Sequence, residues 1–332
     1  MIRRAQQIAS EHGMLALAKA SLPFVHEKVD DLSLPLTNRY FDARYGQGES
    51  VLERDWDNLL LYDACRYDEF LRVCPFPTDA VERRVTLGSR TSQFLRRTFD
   101  GRTCHDVVYV TANAQTLRYD QERKDDPFHA IVSVVEEWDE ETQTVPPGAV
   151  YEAALRAEEE YPSKRLVVHF LQPHAPFLGP TAEGSRERTG RTVKGLDPGR
   201  EYTDIETQDI ETTSYTDILR YDPELTVEDI RQAYRETLAL ATKYVVGLAG
   251  RLEGKTVVSS DHGELLGDRV HPLGCRRWEH PGNVRSSELC TCPWVELPAT
   301  ERKQTRPDPP VVGDVVAPEV VDHRLQSLGY LQ

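Results

Sequence analysis

Short apolar runs that end on Asp or His recur along this chain, and that pattern constrains its fold more than any other feature. Thr256-Val-Val-Ser-Ser260 follows a helical periodicity over 229–252 and a Glu253-Gly-Lys255 turn, and it leads into Asp261-His262-Gly-Glu264. A β-branched run of this length between turn signals predicts a short buried strand. Asn58-Leu-Leu-Leu-Tyr62 predicts another, ending on Asp63, with Arg66 on the first turn of a following helix. A third, Leu166 to Leu171, carries His169; Pro173-His174-Ala-Pro176 then enforces an extended exit, because a residue before proline avoids the helical region. Open α/β sheets bind ligands outside the carboxyl ends of their strands. Three strands that deliver Asp or His to that edge predict a shared metal site. A carboxylate beside an imidazole offers the mixed O and N donors that suit Zn²⁺ or Mn²⁺. Gly263 is expected to let the backbone turn away at once, without steric cost. An isolated Asp-His-Gly would read as a helix cap beside a surface histidine; the repetition favours the metal.

Asp63 after a strand, the Pro-His-x-Pro segment and the late Ser260-Asp-His-Gly-Glu264 together resemble the alkaline phosphatase superfamily, in its sulfatase-like branch. The C-terminal Val321-Asp-His-Arg-Leu-Gln-Ser-Leu-Gly-Tyr330 is similar to the tail helix of that branch. Asp57-Asn58, Asp63-Ala-Cys-Arg-Tyr-Asp68, Tyr109-Val-Thr-Ala-Asn113 and His169 to Pro176 resemble a haloarchaeal group of sulfatase-like proteins. The resemblance covers roughly residues 50 to 330. It implies a three-layer α/β/α sandwich around a mostly parallel, mixed sheet. It also implies an ester hydrolase that holds one or two divalent ions, Zn²⁺ or Mn²⁺ first, with Mg²⁺ or Ca²⁺ compatible.

Residue by residue, the resemblance implies Asp63, Thr91, Asp261 and His262 as metal ligands. The nucleophile of this superfamily is a metal-bound hydroxyl, or a cysteine converted to formylglycine, at a helix start where free N–H groups also meet the anionic ester. Thr91 fits that position, and Thr86 fits a second alignment. His174 is the candidate for protonating the leaving group. His169, His174 and His280 are candidates for a second metal or for substrate oxygens, with His271 a weaker rival to His280. Arg66 and Arg90 offer bidentate contacts to phosphate or sulfate. The chain contains neither Cys-x-Pro-x-Arg nor Ser-x-Pro-x-Arg, and Cys74-Pro-Phe-Pro77 misses both the proline and the arginine positions. Formylglycine chemistry is therefore not expected, and an unmodified threonine points to phosphate mono- or diesters, hydrolysed or transferred. Sulfate-ester hydrolysis and a catalytically silent binding module are the alternatives. The partner implied is a small-molecule, glycan-linked or lipid-linked ester.

Composition narrows the partners. The chain has 55 acidic and 40 basic residues, for a net charge of −15, and only 8 of the basic residues are lysine. An acidic, lysine-poor surface suits concentrated salt, as in a halophile, and disfavours nucleic acid or an anionic membrane as partner. No apolar run reaches the length of a transmembrane helix, and the residues after Met1-Ile-Arg-Arg are too polar for a signal segment. Six cysteines without a Cys-x-x-Cys pair suggest reduced thiols and a cytoplasmic location. Residues 1–50 are expected to form a helical extension and 51–332 the catalytic domain, with 179–221 a long polar loop. Thr226 and Asp229 have capping-box spacing. No oligomeric state is read from the sequence.

Overall fold

The computed structural model describes residues 33–123, 125–189, 192–193, 212–213, 215, 219, 222–270, 276–311, 316–328 and 330. His271, Cys275, residues 1–32 and most of 190–221 lie outside them.

The strands are β1 (Asn58–Asp63), β2 (Glu82–Val85), β3 (Cys104–Thr111), β4 (Phe128–Ser133), β5 (Arg165–Pro173), the short pair β6 (Thr192–Val193) and β7 (Thr212–Thr213), β8 (Thr256–Ser260), β9 (Leu265–Arg269), β10 (Arg276–Glu279) and β11 (Thr291–Leu297). Seven of them form one sheet in the order β2-β11-β8-β1-β5-β3-β4. β1 pairs in parallel with β5 and β8, and β3 with β4 and β5; β11 runs antiparallel to both β2 and β8. β9 and β10 make a separate antiparallel ribbon.

Successive residues of a strand point to opposite faces, and here both faces are buried, as expected of a parallel sheet. Leu60, Tyr62, Val108, Val110, Val168 and Val258 pack in one core beneath the helices Pro147–Glu160 and Val227–Ala249. Leu59, Leu61, Val107, Tyr109, Val167 and Val257 pack in the other, against Phe94, Leu95 and Phe99 of the helix Thr91–Phe99. The result is a three-layer α/β/α sandwich around a mixed, mostly parallel sheet. Burying each such Val or Leu is worth roughly 1.5–3 kcal/mol, so the central strands are its most firmly anchored part.

The long helix starts with the expected capping box. Asp229 N donates to Thr226 Oγ1 at 3.2 Å, and Thr226 N donates to Asp229 Oδ2 at 2.7 Å. Gly254 turns the chain back into β8 at φ +84°, where a Cβ would lie 2.5 Å from Asp57 Oδ2. The stretch expected as a loop over 179–221 begins instead with a helix, Pro180–Thr189, tied down by Arg188 and Ser185 on Asp222. A helix over residues 33–45 packs Phe41 against Leu265, Val284 and Leu289. Among the described residues, no helix is long and apolar enough to cross a membrane.

Candidate metal centre

Four adjacent strands, β8, β1, β5 and β3, direct polar side chains toward one point. Strand alternation explains how. Asp63 shares the parity of Leu59 and Leu61, His169 that of Val167, and Asp261 that of Val257, which is the face covered by the helix Thr91–Phe99. Tyr62 pairs with Ser260, so Asp63 and Asp261 leave the sheet side by side. Asp63, Thr91, His169, Asp261 and His262 all have 0% exposure.

Asp63 ends β1, and the next residue, Ala64, takes a left-handed φ of +63°. That turn aims the Ala64 N–H at Asp261 Oδ1, 3.2 Å away, while Tyr234 Oη donates to Ala64 O at 2.7 Å and holds the bend. A non-glycine residue in this region is strained and persists only where its surroundings enforce it. Asn113, just beyond β3, caps the helix Ala114–Gln121 by accepting from Gln115 N at 2.8 Å. Its Nδ2 therefore points at Asp63 Oδ2, 2.5 Å away. Asp63 Oδ1 lies 3.4 Å from both Thr91 Oγ1 and His262 Nε2. Thr91 Oγ1 is 3.1 Å from His262 Nε2, which is also 3.4 Å from Asp261 Oδ2. His262 Nδ1 faces Gly263 O at 2.8 Å. Donation to that carbonyl directs Nε2 into the cluster, the arrangement that prepares an imidazole as a ligand.

Gly263 serves another purpose than the free turn expected of it. Its φ is not left-handed; instead, a Cβ there would lie 2.0 Å from Glu288 O, and its N–H donates to Leu289 O at 2.8 Å. The residue is small because the chain before β11 passes directly against it.

A second group adjoins the first. His174, Glu264 and His280 bring one donor atom each within 4.8 Å of one another, as do Asp63, Asp261 and His262. Glu264 Oε2 lies 3.3 Å from His280 Nδ1, and the His280 ring centroid is 4.7 Å from that of His262 and 5.0 Å from that of His174. His174 Nε2 is hydrogen-bonded to Tyr330 Oη at 3.0 Å. His169 bonds Tyr109 Oη through Nδ1 at 2.9 Å, and its Nε2 stands 3.7 Å from Asp261 Oδ2.

Charge in the cluster is unbalanced in a way that fits a cation. Burial pulls the His262 imidazole down, but the Asp261 and Asp63 carboxylates outweigh it and raise it to about 9. Burial drives Glu264 up to about 8 and raises Asp261 as well, with Asp63 adding to both. Asp63 itself is held well below the usual carboxylate range: burial opposes this, and the charges of His174 and His262 prevail. Burial, then the charges of His262 and His174, push His280 down. Three buried atoms of the cluster, His169 Nε2, Asp261 Oδ2 and Glu264 Oε1, have no hydrogen-bond partner among the described residues. Each such atom costs roughly 1–3 kcal/mol, and a divalent ion would satisfy them. The carboxylate and imidazole donors match Zn²⁺ or Mn²⁺.

Other residues singled out in the sequence lie differently. Thr86 Oγ1 donates to Asp261 O at 2.5 Å, so this hydroxyl supports the Asp261 backbone. Arg66 is held by Asp68 at 2.7 Å and Asp268 at 2.6 Å. Arg90 is exposed and donates from Nε to Ser92 Oγ at 3.1 Å. Three members of the cluster were not singled out: Glu264, Asn113 and Tyr330. Each sits inside a motif recognised for other residues, and a polar residue just beyond a strand end was the signal for Asn113.

No protein-family model matches the chain, and a search of curated proteins finds no match. Among solved structures it is similar to the soluble domain of lipooligosaccharide phosphoethanolamine transferase A from Neisseria meningitidis, at 12% identity and TM-score 0.43, covering 73% of this chain and 76% of that one. It is also similar to the C-terminal periplasmic domain of EcEptC from Escherichia coli in complex with Zn, at 13% identity and TM-score 0.45, covering 76% and 75%. A third is a protein in the alkaline phosphatase superfamily from Vibrio parahaemolyticus, at 11% identity and TM-score 0.39, covering 82% and 66%. The likeness is distant, and the chemistry of the site is read from its own side chains.

Proposed function

We propose that this protein is a metal-dependent hydrolase or transferase of phosphate mono- or diesters with Thr91 as its nucleophile. The observation that carries this reading is the placement of Thr91 Oγ1 at a helix start, 3.1 Å from His262 Nε2 and 3.4 Å from Asp63 Oδ1, inside a buried donor set. Asp63, Thr91, Asp261 and His262 would hold one cation; His174, Glu264 and His280 would hold a second, with His169 beside them. Zn²⁺ or Mn²⁺ suits these donors best. When bound, such an ion lowers the pKa of a coordinated hydroxyl and neutralises charge on the ester oxygens.

Thr91 Oγ forms a bond to phosphorus as the bond to the leaving alcohol breaks, and its proton passes to the buried bases around it. The free N–H groups of the helix start face the phosphoryl oxygens. Where no second ion takes its Nε2, His174, paired with Tyr330, returns a proton to the departing oxygen. Water, or an acceptor alcohol, then takes the phosphoryl group from Thr91. Residues 51–332 form the catalytic unit in this reading, with 1–50 an extension to it. The five described cysteines are free thiols, which suits a cytoplasmic location, and the charge of −15 suits a salt-rich one.

The test is a panel of p-nitrophenyl phosphate, bis-p-nitrophenyl phosphate and p-nitrophenyl sulfate on ion-loaded protein, with Thr91→Ala and Thr86→Ala variants. Release from the phosphate esters, abolished in Thr91→Ala and retained in Thr86→Ala, is expected. Equal activity in Thr91→Ala would overturn the choice of nucleophile, and failure to take up stoichiometric divalent ion would reduce the protein to a binding module.

A further inference from the structure

In a chain of net charge −15, one cleft of about 270 Å³ is lined by three arginines, Arg90, Arg96 and Arg118, against one carboxylate, Glu122, together with Leu325 and Tyr330. It lies beside the candidate centre. Arg90 immediately precedes Thr91, and its charge reaches His280. Tyr330, which lines the cleft, bonds His174 of the centre at 3.0 Å. The cleft therefore adjoins the centre through Arg90 and Tyr330, while the buried Thr91 hydroxyl lies behind its wall.

The arginines are available to an anion. Arg96 pairs with Glu122 at 2.5 Å, with the two side chains 57% and 45% exposed, and Arg118 pairs with Asp322, at 32% and 53%. Exposed pairs of this kind contribute little and are readily exchanged. Arg90 has no carboxylate partner among the described residues. Leu325 and Tyr330 add an apolar wall for the carbon skeleton between two charged groups.

We infer that this cleft binds a second anionic group of the substrate, so that the ester cleaved at Thr91 carries a further phosphate, sulfate or carboxylate on its alcohol portion. The inference deepens the phosphoester reading and rests on Thr91 being the reacting group. Arg90 and Arg118 are the specificity-determining residues, through bidentate contacts to that anion.

Calorimetry on the metal-free full chain tests the binding alone, with glycerol 1-phosphate, glucose 6-phosphate, glycerol and glucose as probes. The two phosphates are expected to bind and the uncharged compounds not. Arg90→Ala and Arg118→Ala should each weaken binding about tenfold, Arg90→Lys should restore part of it, and Thr91→Ala should leave it unchanged. Tighter binding of glycerol 1-phosphate assigns a lipid headgroup, and of glucose 6-phosphate a glycan. On ion-loaded protein, the tighter probe should inhibit p-nitrophenyl phosphate hydrolysis competitively, with an inhibition constant about tenfold higher in Arg118→Ala. No binding, equal binding in wild type and both alanine variants, or non-competitive inhibition would overturn the inference. A chain that binds the phosphates through these arginines but hydrolyses no ester would instead remove the phosphoester reading.

Discussion

Asp63, Thr91, Asp261 and His262 come from strand ends and a helix start, whereas His174, Glu264 and His280 come from an exit segment, the approach to a ribbon and the turn after it. The first group is held by backbone, Ala64 N on Asp261 and Gly263 O on His262, and by the side-chain amide of the helix-capping Asn113 on Asp63. In the second group only His174 has such a hold, from Ala175 O and Asp63 O; Glu264 and His280 rest on one another, and Tyr330 reaches in from the C-terminal tail. Sites on rigid elements keep their geometry more closely than sites on loops. The strand-built half should therefore bind its ion more tightly and set the chemistry, with the loop-built half tuning it.

The largest effect expected is that of Thr91→Ala. It should lower kcat for p-nitrophenyl phosphate by about 10⁶-fold, the scale of losing a nucleophile, while elemental analysis still finds bound ion. A variant within tenfold of wild type would place the nucleophile elsewhere. Next come Asp261→Asn and His262→Ala, each expected to weaken the first ion by roughly 10²–10³-fold in a competition titration with a chelator, because a buried ligand and its charge are lost together. Glu264→Gln separates the halves. It should bind one ion where the wild type binds two and lose about 10–100-fold in activity; two ions retained at full affinity would show that the loop-built half is no metal site. Tyr330→Phe should shift kcat only a few-fold and alter the pH profile, since it removes one hydrogen bond to His174.

The smallest effect is on stability. In the metal-free chain, Glu264 is raised to about 8 from an ordinary 4.5 and His262 to about 9 from 6.5. The folded state thus holds protons that the unfolded chain releases earlier. The His262 contribution is complete below about pH 6.5 and lost as pH rises through 9. For Glu264, the cost of ionising a buried carboxyl grows between 4.5 and 8. Calorimetry should find a melting temperature that falls by a few degrees from pH 7 to 9 without ion and is nearly level with it. A flat metal-free profile would contradict this picture of the cluster.

Much of the strand-built half was legible in the sequence because its signal is local. An apolar run that stops on Asp announces both a strand and what its end carries, and Thr226 with Asp229 announces a helix start just as directly. β2 and β4 were less visible. β2 is four residues with two exposed side chains, and β4 is buried at one end only, so neither shows the full apolar run of β1. Glu264 was overlooked because a carboxylate beside His262 has no distinguishing pattern of its own. Its role depends on His280, sixteen positions later.

The sequence by itself determined the strand ends and the kinds of donor they offer, since hydrophobic periodicity and residue chemistry act over a few neighbours; the three-layer plan was implied by the family resemblance. Tertiary structure alone decided which donors meet. Parallel register sets Asp63 beside Asp261, Glu288 O leaves room at position 263 only for glycine, and the Asp261 carbonyl captures the Thr86 hydroxyl while Thr91 faces His262. Contacts between residues 28 to 197 positions apart are set by packing, and no local pattern in a chain encodes them.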